Sequence, residues 1–162
     1  MENELLASSP ADLAQVAIRE GNIQLGKKLF YQSAATCFAC HDPPRGAARL
    51  GPNLAKVKTN LTDEQLVDSI LRPSKMIDKE YAQVIVLTVD GLARTGVRIS
   101  ESKEAIVLRN PAQLAPIEIM QDDIEEVIES EVSLMPEHLA RLLESRKEFN
   151  DLMKYIIETR KR

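Results

Sequence analysis

Apolar positions recur at helical spacing in several stretches of the chain. Ser9-Pro10 supplies an N-cap with proline at the first helical position, and Leu13, Val16 and Ala17 then lead to a stop at Gly21. Asn22 can cap a second helix, whose stripe Ile23, Leu25, Leu29 and Phe30 runs up to Ser33. Thr62 with Gln65 reads as a capping box that opens a helix bearing Leu66, Val67, Ile70 and Leu71, and Pro73 closes it. Pro136 is expected to start a short helix through Leu139, Leu142 and Leu143. Ser145 with Glu148 forms another capping box, ahead of a last helix with Phe149, Leu152, Met153, Ile156 and Ile157 on one side. The basic end of that helix, Arg160-Lys161-Arg162, suits the negative end of the helix dipole.

A different pattern separates the helices. Tyr81 to Val89 is nearly continuous in β-branched and aliphatic residues, and Asp90-Gly91 signals a hairpin turn. Residues 94–99 then alternate polar and apolar, while Ala105–Arg109 and Ile117–Met120 are two further short strand candidates around the turn signal Asn110-Pro111. Residues 81–121 are therefore expected to form a small antiparallel meander inserted into a mainly α domain. The stretch Asp122–Glu131 carries six acids in ten residues, a pattern shared by helix, edge strand and loop.

The 162 residues suit one domain, with 44% hydrophobic and 28% charged residues as in a globular protein. The longest apolar run is too short to span a bilayer. A net charge of −4 has the wrong sign for gripping nucleic acid by its phosphates. Charge is uneven: residues 1–60 hold seven basic against five acidic side chains, leaving 14 basic and 20 acidic for the rest. The opening Met1-Glu2-Asn3-Glu4 lacks the basic-then-apolar order of an export signal, which suits either a removed leader or a piece of a longer chain. Aromatic residues are only 4%, with no Trp, so the core is aliphatic or takes its bulk from a bound group.

The chemistry is concentrated in Cys37-Phe38-Ala39-Cys40-His41, a C-x-x-C-H run that signals c-type haem attachment. Two thiols three residues apart share one side of a helical turn, where they can add to the two vinyl groups along one porphyrin edge, and His41 is then directed beneath the ring toward iron. Rival readings are weaker. A thioredoxin-like pair belongs beside a βαβ pattern, which is missing here. Structural zinc needs four ligands, and the whole chain offers two Cys and two His. A plain Cys37–Cys40 disulfide leaves His41 unexplained.

The sixth iron position is expected to fall to Met135. Ser133-Leu134-Met135-Pro136 places it in a loop stiffened by proline, whereas Met153 lies in a helical stripe and Met76 and Met120 read as apolar filler. His138 is the competing ligand. Gly51-Pro52-Asn53-Leu54 makes a turn that could supply the carbonyl a proximal imidazole needs, with Leu54 pressing on the ring face.

The order Gly26-x-x-Leu29-Phe30, Cys37-x-x-Cys40-His41, Gly51-Pro52-Asn53-Leu54, Met135-Pro136 and a C-terminal helix resembles class I c-type cytochromes. Ser69-Ile70-Leu71-Arg72-Pro73-Ser74, Tyr81, Asp90-Gly91, Gly96 and Ser133-Leu134-Met135-Pro136 are similar to the haem-binding cytochrome domain of planctomycetes and verrucomicrobia. The resemblance implies one covalent haem c on Cys37 and Cys40, His41 and Met135 as axial ligands, and the Pro52 carbonyl as acceptor for His41. It implies a mainly α, cytochrome c-like helical domain around one haem over residues 1–162. Within it, residues 10–20 are an extra helix, 22–73 the attachment half, 74–132 the β-rich insertion, and 133–162 the Met loop and C-terminal helices.

One-electron transfer is the expected function, with no catalytic acid, base or nucleophile in evidence. A redox or gas sensor, or an electron-transfer module of a larger dehydrogenase, are the alternatives. The basic residues Lys27, Lys28, Arg45, Arg49, Lys56 and Lys58 suggest a redox partner with an acidic docking face. Haem attachment of this kind implies a periplasmic or otherwise exported location. A haem filling the centre also implies that the haem-free chain folds poorly.

Overall fold

A computed structural model describes residues 1–45, 49–54, 61–113 and 115–160. Lys56, Lys58, Lys161 and Arg162 lie outside the described residues. The chain divides into a helical unit, Met1–Lys75 with Pro136–Arg162, and a sheet unit, Met76–Met135.

In the helical unit, local capping chemistry sets most boundaries. Helices α1 (Glu2–Ala7) and α2 (Pro10–Glu20) are separated by Ser8 and Ser9, and the Ser9 hydroxyl accepts from the Asp12 N–H at 3.4 Å. Helix α3 (Ile23–Gln32) starts from Asn22, whose Oδ1 accepts from the N–H groups of Gln24 at 2.9 Å and Leu25 at 3.1 Å. After the single turn α4 (Phe38–His41) comes α5 (Asp63–Leu71), with its expected box complete. There Thr62 Oγ1 accepts from Gln65 N–H at 3.2 Å, and Gln65 Oε1 accepts from Thr62 N–H at 2.7 Å. Helix α6 (Arg146–Arg160) has Ser145 Oγ accepting from Glu148 N–H at 3.2 Å, but the Glu148 carboxylate reaches the N–H of Glu144 at 2.8 Å rather than that of Ser145.

The apolar faces of these helices meet in one cluster that includes Leu5, Leu13, Phe30, Val67, Phe149, Leu152, Met153 and Ile157. Gly26 lets α3 and α6 cross backbone to backbone, because a Cβ there would lie 1.9 Å from the Asp151 carbonyl oxygen. Beside the crossing, buried Asp151 accepts from the Asn22 N–H at 2.7 Å and from Lys147 Nζ at 2.7 Å, so its charge is paired.

Two helical expectations change. Pro136 opens no α-helix: His138 adopts φ +65°, and a short 3-10 helix follows over Leu139–Leu142. A left-handed residue cannot continue a right-handed helix, so the chain turns there instead. Helix α1 was not anticipated, since six residues give too short a pattern to read; Leu5 makes it worthwhile by burying its side chain completely.

The sheet unit holds strands β1 (Gln83–Thr88), β2 (Ala93–Glu101), β3 (Ala105–Arg109), β4 (Ile117–Met120) and β5 (Ile124–Glu129). All neighbours are antiparallel, in the order β4-β3-β2-β1-β5. Gly91, at φ +81°, turns β1 into β2 as the Asp90-Gly91 signal indicates. Val84 and Val86 of β1 bury one face together with Ile106, Leu108 and Ile119.

This sheet overturns the mainly α, cytochrome c-like reading of the fold. Six α-helices among the described residues stand with a five-stranded antiparallel sheet, a mixed α and β architecture. Nor is the sheet a simple meander over 81–121, because β5 returns past the starting strand to pair with β1, Val86 opposite Val127. The physical reason is that residues of β1, β3 and β4 bury their own aliphatic cluster, with Ile124 of β5 packed against it, which makes the segment a second core rather than a decoration of the first.

Candidate functional site

Cys37 already has helical backbone angles, φ −52° and ψ −37°, and caps the one-turn helix α4. The N–H of His41 donates to the Cys37 carbonyl at 3.1 Å and that of Asp42 to the Phe38 carbonyl at 2.9 Å. Cys37 and Cys40 are thus one turn apart on the same side, both free thiols and both half-buried. Thr36, just before them, adopts φ +46°, a left-handed conformation unusual for a β-branched residue. That turn sends the chain from the end of α3 into α4.

The loop behind His41 is fastened to the same turn. The N–H groups of Leu50 and Gly51 both donate to the Cys40 carbonyl, at 3.3 and 3.1 Å. Next in the chain, Pro52 presents its carbonyl oxygen 2.9 Å from His41 Nδ1. A carbonyl only accepts, so this contact places the proton of a neutral imidazole on Nδ1 and leaves the Nε2 lone pair available. Gly51 lies against the imidazole, since a Cβ at this position would be 2.8 Å from His41 Cε1 and 3.0 Å from Nδ1. Two sides of the ring are therefore defined by backbone.

Burial sets the charge states here. It lowers the pKa of His41, an effect opposed by the Pro52 carbonyl and reinforced by nearby Arg49, which keeps the imidazole neutral near pH 7. Burial pushes the Cys37 thiol up to about 11 and raises that of Cys40. Both sulfurs are consequently protonated at neutral pH, unlike the low-pKa thiolate of a disulfide oxidoreductase.

Neighbouring side chains brace the turn. Tyr31 donates to Asp42 Oδ2 at 2.5 Å and stacks on Phe38 with ring centroids 6.0 Å apart. Hydrogen bonding to Asp42, with burial, raises the Tyr31 pKa well above its usual value, so the phenol keeps its proton. Cys37, Phe38 and Leu54 are all half-buried against the helical core. The structure thus gathers Cys37, Cys40, His41, Gly51 and Pro52, with Leu54 packed on the core at the end of the same loop. Met135 is the last residue of the sheet unit, half-buried, its N–H donating to Ser133 Oγ at 3.1 Å. His138 is exposed, with Nδ1 3.2 Å from Glu2 Oε2.

Sequence reading missed the Tyr31–Asp42 brace and the left-handed Thr36, neither of which has a local signal; the closeness of Gly51 to His41 was hidden behind an ordinary turn motif. Among the described residues no group of three or more His, Cys, Asp or Glu side chains gathers as a bare metal ion would require. Among them, too, no helix is long and apolar enough to cross a membrane. The residues present fit a covalently tethered haem: two thiols on one helical face, an imidazole with a free Nε2, and a glycine where any larger residue would displace that imidazole. No protein-family model matches the chain, and no curated protein matches it.

Proposed function

We propose that this protein is a monohaem c-type cytochrome that carries single electrons. The observation that supports this most is the 2.9 Å contact of His41 Nδ1 with Pro52 O, beside the two neutral thiols of Cys37 and Cys40. Haem, when bound, supplies an iron that cycles between ferric and ferrous forms. Cys37 and Cys40 would hold it by thioethers: each S–H adds across a vinyl C=C, forming a C–S bond while the proton goes to the other vinyl carbon, with no net oxidation. His41 would bind iron through Nε2, with the Pro52 carbonyl fixing the ring and making it a better donor. Met135 is the proposed sixth ligand, a soft thioether that favours the ferrous state and raises the potential.

No residue is asked to move a proton in this function, and electrons enter from and leave to partner proteins. Lys27, Lys28, Arg45 and Arg49 are exposed and suit an acidic docking face on such a partner. Transfer between partners would then slow as salt is added, because screening weakens their attraction. Maturation of the thioethers places the protein in the periplasm or another exported compartment.

The test is intact mass under denaturing conditions after expression in a host competent for haem attachment. The expected result is chain plus one haem, lost in the Cys37→Ala/Cys40→Ala double variant. A wild-type mass equal to the bare chain would refute the proposal.

A further inference from the structure

The helical unit is interrupted in sequence: it runs to Lys75 and resumes at Pro136, one residue after Met135. Several interactions within this unit converge on those two crossing points. On the leaving side, Arg72 Nη1 donates to Asp68 at 2.7 Å and Arg72 Nη2 to the Leu6 carbonyl at 2.7 Å, while Lys75 also pairs with Asp68. On the returning side, Arg141 Nε and His138 Nδ1 both meet Glu2 Oε2, the latter at 3.2 Å. Between the two crossing points, Ser74 Oγ donates to Glu137 Oε1 at 2.8 Å.

Helix α1 carries both Glu2 and Leu6, so it links Arg72 on one side to Arg141 on the other. Leu5, fully buried, anchors it to the core. Glu2 is only 7% exposed, which is unusual for a carboxylate and costly unless the charge is paired. The helix dipole accounts for an acid at this position, but not for its burial. Its partners account for that, and both come from the returning segment.

We propose that α1 is a clamp that positions Met135, and that Glu2 is its positioning residue. This rests on the reading of Met135 as the sulfur ligand of iron. The spacer between ligand and clamp is short and stiff: Pro136 has a fixed φ, Glu137 is tied to Ser74, and His138 is held at φ +65°. Fixing the point where the chain re-enters the helical unit restricts the excursions of Met135, so its sulfur is returned to iron rather than lost to solvent. Releasing the clamp costs no haem attachment; it weakens the competition of sulfur against a soluble ligand. In that competition a sulfur lone pair leaves iron and an imidazole nitrogen lone pair replaces it, with no electron gained or lost.

The experiment titrates imidazole into the ferric holoprotein while following the far-red band of sulfur-ligated ferric haem. Glu2→Ala should raise the apparent affinity for imidazole roughly fivefold, as expected for loss of a partly exposed ion pair. Arg141→Gln should act in the same direction, and the double variant should exceed the larger single effect little, because both remove one interaction. Glu4→Gln, on the exposed side of α1, should match wild type. Hydrogen exchange over residues 136–143 should quicken in Glu2→Ala alone of the two Glu variants. If Glu2→Ala fails to accumulate, Arg141→Gln at an exposed position and Ser74→Ala at a half-buried one carry the same test. Wild-type imidazole affinity in these variants, with the band present, would overturn the clamp and leave the iron ligation standing. A haem-loaded wild type without the band would overturn Met135 ligation and the clamp with it.

Discussion

His41 meets the Pro52 carbonyl and the Gly51 backbone, and that makes it sensitive to small changes nearby. Gly51→Ala introduces a methyl 2.8 Å from Cε1, so the ring must give way or the Pro52 carbonyl must retreat. Either outcome weakens the hydrogen bond that makes His41 a strong donor to ferric iron. The midpoint potential should rise, by on the order of 50 mV, nearly a tenfold change in the one-electron equilibrium. Potentiometry of the variant holoprotein checks this; an unchanged potential would show that the contact does not tune the ligand. Thr36→Gly bears on stability instead. Glycine removes the strain of φ +46° at a β-branched position, gaining about 1 kcal/mol less the added entropy of the unfolded chain. A denaturant midpoint no lower than that of wild type is the expected result.

At the scale of elements, the α3–α6 crossing and the α5 exit make separate predictions. Gly26→Ala forces a Cβ into the Asp151 carbonyl, so the helices must part, at about 3 kcal/mol or more in chemical unfolding. Asp68 shows how charge supports the end of α5. Burial alone would raise its pKa, but hydrogen bonds from Lys75 and Arg72 outweigh that and hold the carboxyl below its ordinary value. A depressed folded-state pKa contributes stability above the unfolded value, about 3.9, and loses it as pH falls through the folded one. Asp68→Asn should therefore cost about 1–2 kcal/mol at pH 7 and progressively less below about pH 4, read from denaturant midpoints at the two pH values.

Helices with chemical punctuation were legible in the sequence. Ser9-Pro10, Asn22 and the Thr62–Gln65 box each specify a start by side-chain hydrogen bonds, and the structure contains those bonds. Strands β1 to β4 were legible as well, through β-branched runs and the Asp90-Gly91 turn. Strand β5 was not. Ile124–Glu129 reads Ile-Glu-Glu-Val-Ile-Glu, without alternation, because most of this edge strand is exposed and only pairing with β1 specifies it. The segment after Pro136 failed for a related reason, since a left-handed His138 and a contact to distant Glu2 leave no mark in local pattern. Within the candidate site the residue types were visible in C-x-x-C-H and Gly-Pro; the bracing by Tyr31 and Asp42 is tertiary and was not.

For the whole molecule, buried side chains gather in two clusters, one among the helices and one in the sheet. The helical unit carries the candidate attachment turn, and the sheet unit ends at Met135. Ile106, 1% exposed at the centre of the sheet cluster, should cost about 2–5 kcal/mol as Ile106→Ala, seen in thermal unfolding of the sheet signal. What the molecule does turns on whether the chemistry at Cys37, Cys40 and His41 is that of iron or of sulfur. An optically monitored redox titration separates the two by electron count. The expected result is one reversible wave with a slope of about 59 mV per decade, carried by a haem absorption; a colourless protein whose thiols titrate at about 30 mV per decade would contradict haem-based electron transfer.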